Sequence, residues 1–444
     1  MTSVAQARPF SELHGPRAPS LMQTMQLLRD PNGFLTGAWH RYGDLFRIRI
    51  QVMGDVMVAA DPSLTRDMLV GDQSLFLGGA ANQLGEPMVG ARSLFLTDGD
   101  DHVWQRRLVL PPFHARKLQL YARQIEVIAE RHLDGLPTGK PLPTRPVMQA
   151  IAMDVILEIV FGVRGIVADR LRDALVAMRG PLGSIIMLPW MRHDLGPGSP
   201  WRVFLRRRAR VDELIRQEMT TRRHEAGLAE RNDVLSMLLA ATDEDGNGLS
   251  DSDIRDQLLT LVTAGYETTA TGLAWAVERL SRHPRALAIA RAAAAGGDDG
   301  YLAACAREAL RLRPPLYHIA RRLGRPHTIG GYELPAGLAV MIPILLLHQR
   351  PDLYPDPLVF RPERFLGDRV DPLDWLPFGG GPRRCVGAHL AELEMQIVLR
   401  HLLARYGIRP VGGNDEPMRI FHVTLVPGHG GVAILERPEH PASG

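Results

Sequence analysis

The spacing of apolar and polar residues divides the chain into three parts. Near the N-terminus, polar and apolar residues alternate around Arg47, Arg49 and Gln51, which predicts strands over 45–52 and 56–60 after a helix over 21–29. From about 105 to 280 the apolar spacing is mostly helical. Beyond Pro314, short strand-like runs alternate with glycine and proline before a last helical pattern that follows Cys385. The pattern predicts a mainly α-helical protein with a minor β region.

The domain organisation follows from the same pattern. Pro9, Gly15, Pro16 and Pro19 predict an irregular N-terminal arm over residues 1–20. A length of 444 residues alone would suggest two or three domains, but no repeat or low-complexity linker divides the rest of the chain. We therefore expect a single large helical domain with small sheets over residues 21–444.

Composition and charge exclude several classes of protein. The 52 Lys and Arg residues against 49 Asp and Glu leave a net charge of only +3, spread along the chain, which disfavours a nucleic-acid partner. Only two cysteines are present, which fits a reducing cytoplasm. The N-terminus has no signal-peptide core, and no run of about 18 apolar residues could span a membrane. We expect a cytoplasmic protein with no membrane anchor.

The strongest chemical signal is a single thiol between a glycine-rich loop and a helix. The segment reads Phe378-Gly-Gly-Gly-Pro-Arg-Arg-Cys385-Val-Gly387, and the apolar spacing that follows places Cys385 at the helix N-terminus, where the helix dipole would favour a thiolate. The glycines would let the backbone approach a flat, bulky partner, Phe378 would cover the sulfur, and Arg383 would suit a carboxylate. These features fit a haem-thiolate site.

Two other interpretations of Cys385 are open. A lone cysteine before a helix is often a small buried hydrophobic residue. It could also be a catalytic nucleophile, but that role requires an activating base, and the adjacent sequence offers none.

A second signal lies inside a long apolar helix. Ser250 and Asp253 have the spacing of a capping box at its start. The helix contains Ala264-Gly-Tyr-Glu-Thr-Thr269, and the Thr268 hydroxyl can bond the carbonyl of Ala264, opening a small polar groove. Gly265 would leave room above a cofactor. The alternative is that Glu267 is only solvated or ion-paired and that Thr268 only bends the helix.

Taken together, these residues resemble the cytochrome P450 family. The pattern Phe-x-x-Gly-x-Arg-x-Cys-x-Gly is met at Phe378, Gly381, Arg383, Cys385 and Gly387 and is similar to the family's haem-binding loop, and 264–269 resembles its oxygen-site motif. By motif order the resemblance spans roughly 34–432. It implies a cytochrome P450 fold of the soluble bacterial type, haem b (iron protoporphyrin IX) and Cys385 as the iron ligand.

The resemblance also implies roles for other residues. Thr268 and Glu267, with water, would deliver protons to bound dioxygen, and Glu308-x-x-Arg311 would brace the haem loop through Arg364. His102, Arg106 and Arg321 match positions that bind haem propionates. The residues implied to contact the cofactor are Cys385, His102, Arg106, Ala264, Gly265, Arg321, Phe378, Gly379, Arg383 and Gly387.

The implied function is a monooxygenase that inserts one oxygen atom of dioxygen into a hydrophobic molecule such as a fatty acid, terpenoid or steroid. The family's pocket would be lined from 83–95, 262–269, 316–319 and 421–424. No flavin or iron–sulfur module is visible, so electrons would come from a ferredoxin and its reductase, docking near Arg384 and Lys117. A monomer is expected.

Other functions remain open on the same sequence. A peroxygenase or a haem-thiolate isomerase or dehydratase would need no dioxygen-linked proton relay, and the presence of Glu267 and Thr268 argues against both. A haem carrier or gas sensor would bind haem without turnover, and product formation would separate it from an enzyme.

Overall fold

A computed structural model describes residues 7–180, 188–367 and 370–437. In this part of the chain the helices are α1 (Ser20–Arg29), α2 (Pro31–Tyr42), α3 (Pro62–Val70), α4 (Gly78–Ala81), α5 (Glu86–Val89), α6 (Gly99–Val109), α7 (Ala115–Leu133), α8 (Thr144–Ile156), α9 (Gly165–Arg179), α10 (Pro200–His224), α11 (Val234–Ala240), α12 (Asp251–Arg282), α13 (Pro284–Gly296), α14 (Asp299–Leu312), α15 (Ile344–Leu347) and α16 (Ala388–Arg405).

The strands of the same part are β1 (Arg8–Pro9), β2 (Leu45–Ile50), β3 (Gly54–Ala59), β4 (Phe76–Leu77), β5 (Pro141–Pro143), β6 (Ile319–Leu323), β7 (His327–Ile329), β8 (Tyr332–Leu334), β9 (Ala339–Ile342), β10 (Gly407–Pro410), β11 (Met418–Phe421), β12 (Thr424–Pro427) and β13 (Val432–Glu436). The largest sheet has the order β2-β3-β9-β6-β4, in which β3 and β9 are parallel. The predicted mainly helical fold with small sheets is confirmed.

Helix α12 is the centre of the helical body. Its predicted capping box is confirmed, because the Ser250 hydroxyl accepts from the Asp253 N–H and the Asp253 carboxylate accepts from the Ser250 N–H. Most of α12 is buried, and α8, α14 and α16 pack against it. Because buried side chains surround the helix, any residue of its middle that remains exposed must border an internal space.

The N-terminal segment is more ordered than the sequence predicted. Arg8 and Pro9 pair in parallel with Tyr332 and Glu333, and Leu13 is buried in the apolar cluster of that region. Pro9 is tolerated because a proline can occupy an edge strand, where no N–H is needed. Residues 8–12 therefore form a short strand and a single helical turn, whereas 13–19 have no regular element, as the irregular arm predicts. Residues 1–6 lie outside the described part. The single domain over 21–444 stays a prediction.

None of the described helices has the length and apolar character needed to cross a bilayer.

Glu308 and Arg311 form a completely buried ion pair, not the surface pair that their spacing alone would suggest. The Arg311 Nε and Nη2 atoms donate to the two Glu308 oxygens at 2.7 and 2.8 Å, and both side chains are 0% exposed. Arg364 is the predicted bracing residue, but its Nε atom lies 3.4 Å from Glu308 Oε1. The backbone N–H of Arg361 donates to the same Glu308 oxygen at 2.9 Å. The bracing therefore relies more on backbone than on the Arg364 side chain.

His348 connects this ion pair to the Cys385 loop, a link that the sequence did not reveal. Arg311 donates to the His348 carbonyl at 2.7 Å, and the Leu376 N–H, close to the loop, donates to His348 Nε2 at 3.0 Å. Because Nε2 accepts, Nδ1 must carry the proton and donate to the Arg311 carbonyl, 3.0 Å away. Burial, and secondarily the Arg311 charge, lowers the pKa of His348 to about 3.

This histidine gives an expected pH dependence of stability. In the unfolded chain His348 takes up a proton as the pH falls below the ordinary histidine pKa of 6.5, whereas in the folded protein the ring stays neutral down to about pH 3. The free energy of unfolding therefore decreases as the pH falls from 6.5 to about 3. Between pH 6.5 and 4.5, urea unfolding should show the wild type losing about 2 kcal/mol more than His348→Gln. Equal losses in the two proteins would show that His348 is not held neutral.

Candidate functional site

Cys385 lies at the end of a tight loop rather than on the following helix. Helix α16 begins at Ala388 with Gly387 at the N-cap, and the Cys385 N–H donates to the Phe378 carbonyl at 2.9 Å. The Phe378 ring packs edge-on against Trp375, with ring centroids 5.6 Å apart. The loop therefore returns on itself, and Phe378 and Cys385 are held together by a backbone hydrogen bond.

The loop glycines serve the turn and the protein packing. Gly379 and Gly381 have φ values of 68° and 63°, in the left-handed region that favours glycine. A Cβ on Gly381 would lie 2.1 Å from the Leu69 carbonyl oxygen, and one on Gly380 would lie 2.9 Å from Leu373. At Gly380 and Gly381 an added Cβ would thus collide with protein atoms, and the approach to a flat partner stays a prediction.

The Cys385 thiol is exposed and borders a cavity of about 580 Å³. The cavity is lined by Arg106, Leu110, Phe113, His114, Arg116, Arg384, Cys385, Val386 and His389. Desolvation raises the pKa of Cys385 more than the Gly387 N–H and the Arg384 and Arg106 charges lower it. Coordination to a metal ion would deprotonate the thiol, and the thiolate stays a prediction.

Four basic side chains predicted to contact the cofactor come together beside this loop. His102 and Arg106 lie on α6, Arg321 lies on β6, and Arg383 lies in the Cys385 loop. His102 and Arg321 are buried, at 5% exposure each, and the positive charge of Arg383 acts on both. The arrangement concentrates positive charge in a desolvated place.

Asp98 is the acid of this cluster, and sequence reasoning missed it. Its carboxylate accepts from the Gly79 and Ala80 N–H groups at 2.8 Å each and is ion-paired with Arg383. Arg383 also donates to the Thr97 carbonyl, so it is more committed to protein partners than predicted. The signal was present in the spacing, since Asp98 stands four residues before His102.

One acid does not neutralise the cluster. Burial, together with the charge of Arg383, lowers the pKa of His102 to about 4 and that of Arg321 to about 10. The Arg321 Nε atom is buried and has no hydrogen-bond partner among the described residues. An orphaned donor and surplus buried positive charge fit a ligand that carries carboxylates, as haem does with its two propionates.

Arg106 has a different position from the other three. Its Nη2 atom donates to the Arg384 carbonyl at 2.7 Å, directly before Cys385, and it borders the same cavity as the thiol. Arg106 therefore orders the backbone that presents the sulfur.

The middle of α12 borders an open space, as its sequence suggested. Ala264 is exposed and Gly265 and Thr268 are half-buried in a helix that is otherwise mostly buried. The predicted hydrogen bond is confirmed, because the Thr268 hydroxyl donates to the Ala264 carbonyl at 2.7 Å. Thr269 repeats this bond with Gly265 at 2.9 Å. Two carbonyls of one helical turn therefore carry extra hydrogen bonds, with Thr268 facing the open space.

Gly265 lies where α12 packs closely on α8. A Cβ at this position would lie 2.7 Å from Cδ1 of Ile156 on α8. Glycine is therefore required for this helix contact, and the expectation that it also leaves space above a cofactor stays a prediction.

Glu267 is buried and ion-paired, the alternative that the sequence left open. One carboxylate oxygen is paired with Arg145, and the other accepts from Gln149 at 3.0 Å. Arg145 also lies over the Phe421 ring, 4.9 Å from its centroid. Both oxygens of Glu267 therefore have protein partners.

Two histidines of the predicted pocket segments have buried ring nitrogens. His318 Nδ1 forms no hydrogen bond among the described residues, whereas the His422 ring faces backbone groups of Arg179 and Gly180. Burial lowers the pKa of both rings, that of His318 to about 4. His422 also has a positive φ of 56° at the tip between β11 and β12. Both side chains are neutral polar groups near physiological pH.

The described residues contain no cluster of histidine, cysteine and acidic side chains that could hold a metal ion. A protein ligand for iron would then be Cys385 alone, which matches haem, since the porphyrin itself supplies the equatorial nitrogens.

The chain is similar to known proteins over almost its whole length. A family model described as "Cytochrome P450" matches residues 13–430. A Mycobacterium tuberculosis protein named as cytochrome P450 135B1 is 39% identical over 441 residues, covering 97% of this chain and 92% of that protein. Another from the same organism, named as cytochrome P450 138, is 36% identical and covers 95% of each chain.

Solved structures show the same fold. The structure titled "Retinoic acid bound cyanobacterial CYP120A1" aligns with a TM-score of 0.82 at 24% identity, over 98% of this chain and 100% of that chain. The haem domain of cytochrome P450DA aligns with a TM-score of 0.84 at 24% identity, over 98% of each chain. The predicted cytochrome P450 fold is confirmed.

Proposed function

The chain belongs to the cytochrome P450 family and is a haem-dependent monooxygenase, and we propose that it hydroxylates or epoxidises a hydrophobic small molecule with one oxygen atom of dioxygen. The observation that carries the proposal is the Cys385 thiol with its surplus of buried basic side chains. Haem b fits this donor set, with Cys385 toward the iron and His102, Arg321 and Arg383 toward the propionates. When bound, the haem supplies the iron centre at which dioxygen is reduced.

The remaining chemistry falls to residues of α12. Thr268 Oγ1 borders the open space and donates its hydrogen bond to the Ala264 carbonyl. The same oxygen can therefore accept a hydrogen bond from water and relay a proton. Glu267 is one residue away but is held by Arg145 and Gln149. We assign proton transfer from water to Thr268. Glu267 takes part only when its ion pair with Arg145 opens.

Replacement of Thr268 by alanine tests this assignment. The hydroxyl is lost while the helix remains, so product formed per electron pair should fall roughly 10²-fold. Thr269→Ala is the matched control, since it removes an identical bond, and it should keep at least half of the wild-type yield. Equal yields for Thr268→Ala and the wild type, measured as product against NADPH consumed, would remove Thr268 from the proton path.

The substrate class follows from the segments proposed to line the pocket. Phe95, Leu316 and Val423 are exposed at 47%, 36% and 49% although they are large and apolar. A few neutral polar atoms lie among such residues, at His318 and His422, which suits a medium-sized hydrophobic molecule such as a fatty acid, terpenoid or steroid. Spectral titration of the ferric protein with a lipophilic library would identify it.

Reconstitution separates the proposed reaction from its rivals. The purified protein with a ferredoxin, its reductase, NADPH and dioxygen should convert a compound found by titration into a product that carries one atom of labelled oxygen. Turnover with peroxide but none with dioxygen would indicate a peroxygenase, and no product with either would indicate a carrier or sensor.

We propose that the ferredoxin docks on the face of the cavity at Cys385. Arg384 and Arg116 line that cavity, and Lys117 follows on α7, where its Nζ donates to Asn232 at 2.5 Å. An acidic partner would be attracted to these charges. We also propose a cytoplasmic monomer.

Charge reversal tests the dock. Arg384→Glu together with Lys117→Glu should slow electron transfer from the ferredoxin about tenfold at low ionic strength, and the difference should shrink as salt screens the charges. Arg409→Glu, on β10 outside the cavity lining, is the control. An unchanged rate in the double variant, measured by stopped-flow reduction, would place the dock elsewhere.

A further inference from the structure

Helix α1 exposes more apolar side chains than an ordinary surface helix and buries a polar one. Its buried residues are Gln23 and Leu27. Its outward face carries Leu21, Met22, Met25 and Leu28, which are 58%, 48%, 54% and 52% exposed. Leu21, Met25 and Leu28 recur at helical spacing and form one apolar stripe.

The buried polar face has a clear structural purpose. Gln23 Nε2 donates to the carbonyls of Pro16 and Ala18 at 3.0 and 2.7 Å, and its Oε1 accepts from the Arg49 N–H at 2.9 Å. The Thr24 hydroxyl likewise accepts from the Gln51 N–H at 2.9 Å. These side chains satisfy the backbone at and just beyond the end of β2. Such a role does not require the opposite face to be apolar, and exposed apolar patches usually mark an interaction surface.

The apolar stripe of α1 lies close to a hairpin of the site. β11 packs against α1 and ends at the tip between β11 and β12. The same tip contacts Arg145, the partner of Glu267. The exposed surface on α1 therefore adjoins a segment proposed to border the substrate pocket.

Basic side chains flank this surface. Arg17 precedes α1, Arg29 ends it, and Arg419 of β11 donates to the Arg29 carbonyl at 3.4 Å. All three are exposed, and none is ion-paired with a carboxylate in the described part of the chain. Asp30 adjoins Arg29, but its carboxylate caps α2 by accepting from the Gly33 N–H. The flanks of the apolar stripe are thus predominantly positive.

We infer that α1, with the arginines that flank it, docks peripherally on an anionic lipid surface. An apolar stripe with arginines on its flanks is the pattern by which a helix lies in the interface of a bilayer. Ten residues are too few to span a bilayer, so the contact is peripheral. A second copy of the chain would bring the same arginines face to face, which disfavours self-association. The inference goes beyond the proposed function and does not depend on the reaction.

Vesicle sedimentation of the holoenzyme tests the inference. The protein should bind vesicles of phosphatidylcholine and phosphatidylglycerol at low ionic strength and bind pure phosphatidylcholine more weakly. Leu21→Gln with Leu28→Gln should lower the partition coefficient at least tenfold. The matched control is Leu358→Gln, which removes a 70% exposed leucine far along the chain and should bind like the wild type. Arg17→Glu with Arg29→Glu should weaken binding only to the anionic vesicles.

The wild-type protein offers a second measurement that needs no variant. Met22 and Met25 should become at least threefold less reactive to hydroxyl radicals when anionic vesicles are added, whereas Leu358 should not change. The inference would be overturned if the protein sedimented with neither kind of vesicle, or if vesicles protected other residues but not those of α1. It would also be overturned if the protein formed a dimer without vesicles and the Leu21→Gln and Leu28→Gln changes dissociated that dimer, because the face would then bind a second copy.

Discussion

Replacing Cys385 by alanine is expected to abolish monooxygenase turnover while leaving the polypeptide folded. The thiol is exposed, and the loop is held by backbone bonds, such as the one from the Cys385 N–H to Phe378, that alanine keeps. The change removes the sulfur that we propose as the iron ligand, and a thiolate ligand to haem iron favours cleavage of the O–O bond. Product formation should be undetectable, while unfolding of the haem-free protein in urea should shift by less than about 1 kcal/mol.

Cys305 provides the matched control. It is 0% exposed on α14, and burial raises the pKa of its thiol, so it is an unreactive core residue. Cys305→Ala should cost about 1 kcal/mol of stability through the small cavity it leaves, and it should retain turnover. If Cys385→Ala kept turnover, or if Cys305→Ala lost it while folded, the assignment of the sulfur ligand would be wrong.

Replacing Glu308 by alanine is expected to have the largest effect on stability. The change leaves the Arg311 guanidinium buried at 0% exposure with its charge uncompensated, and it removes the acceptor of the Arg361 N–H. Breaking such a pair should lower the free energy of unfolding by about 3–5 kcal/mol. Urea unfolding monitored by circular dichroism measures this directly.

A surface pair supplies the comparison for Glu308. Arg409 and Glu436 join β10 and β13 at 2.8 Å, with side chains 54% and 49% exposed. Arg409→Ala should change the unfolding free energy by at most about 1 kcal/mol, because solvent screens the pair. If the Glu308→Ala and Arg409→Ala proteins had the same free energy of unfolding, the buried pair would not brace the structure.

Features that depend on neighbouring residues could be predicted from the sequence. The capping box at Ser250 and the bond from Thr268 to Ala264 are set by a spacing of three or four residues along one helix. The Cys385 loop is likewise a continuous motif. Its exact relation to the helix was missed because Val386 fits the apolar spacing, although α16 begins only at Ala388.

Features that depend on residues far apart in the chain could not be predicted. Glu267 meets Arg145 more than 100 positions away, and Gly265 meets Ile156, so neither partner could be read from the local pattern. The burial of Glu308 and Arg311 has the same origin, since a spacing of three says nothing about what packs over the pair. The role of His348 emerges only where its ring meets both Arg311 and Leu376.

The most direct test of the central claim is the absorption spectrum of the purified wild-type protein after reduction and saturation with carbon monoxide. The structure predicts the Soret band of ferrous haem ligated by a thiolate, with one haem bound per chain. A Soret band typical of histidine-ligated haem, or no haem band after expression with ample haem precursor, would contradict Cys385 as the iron ligand.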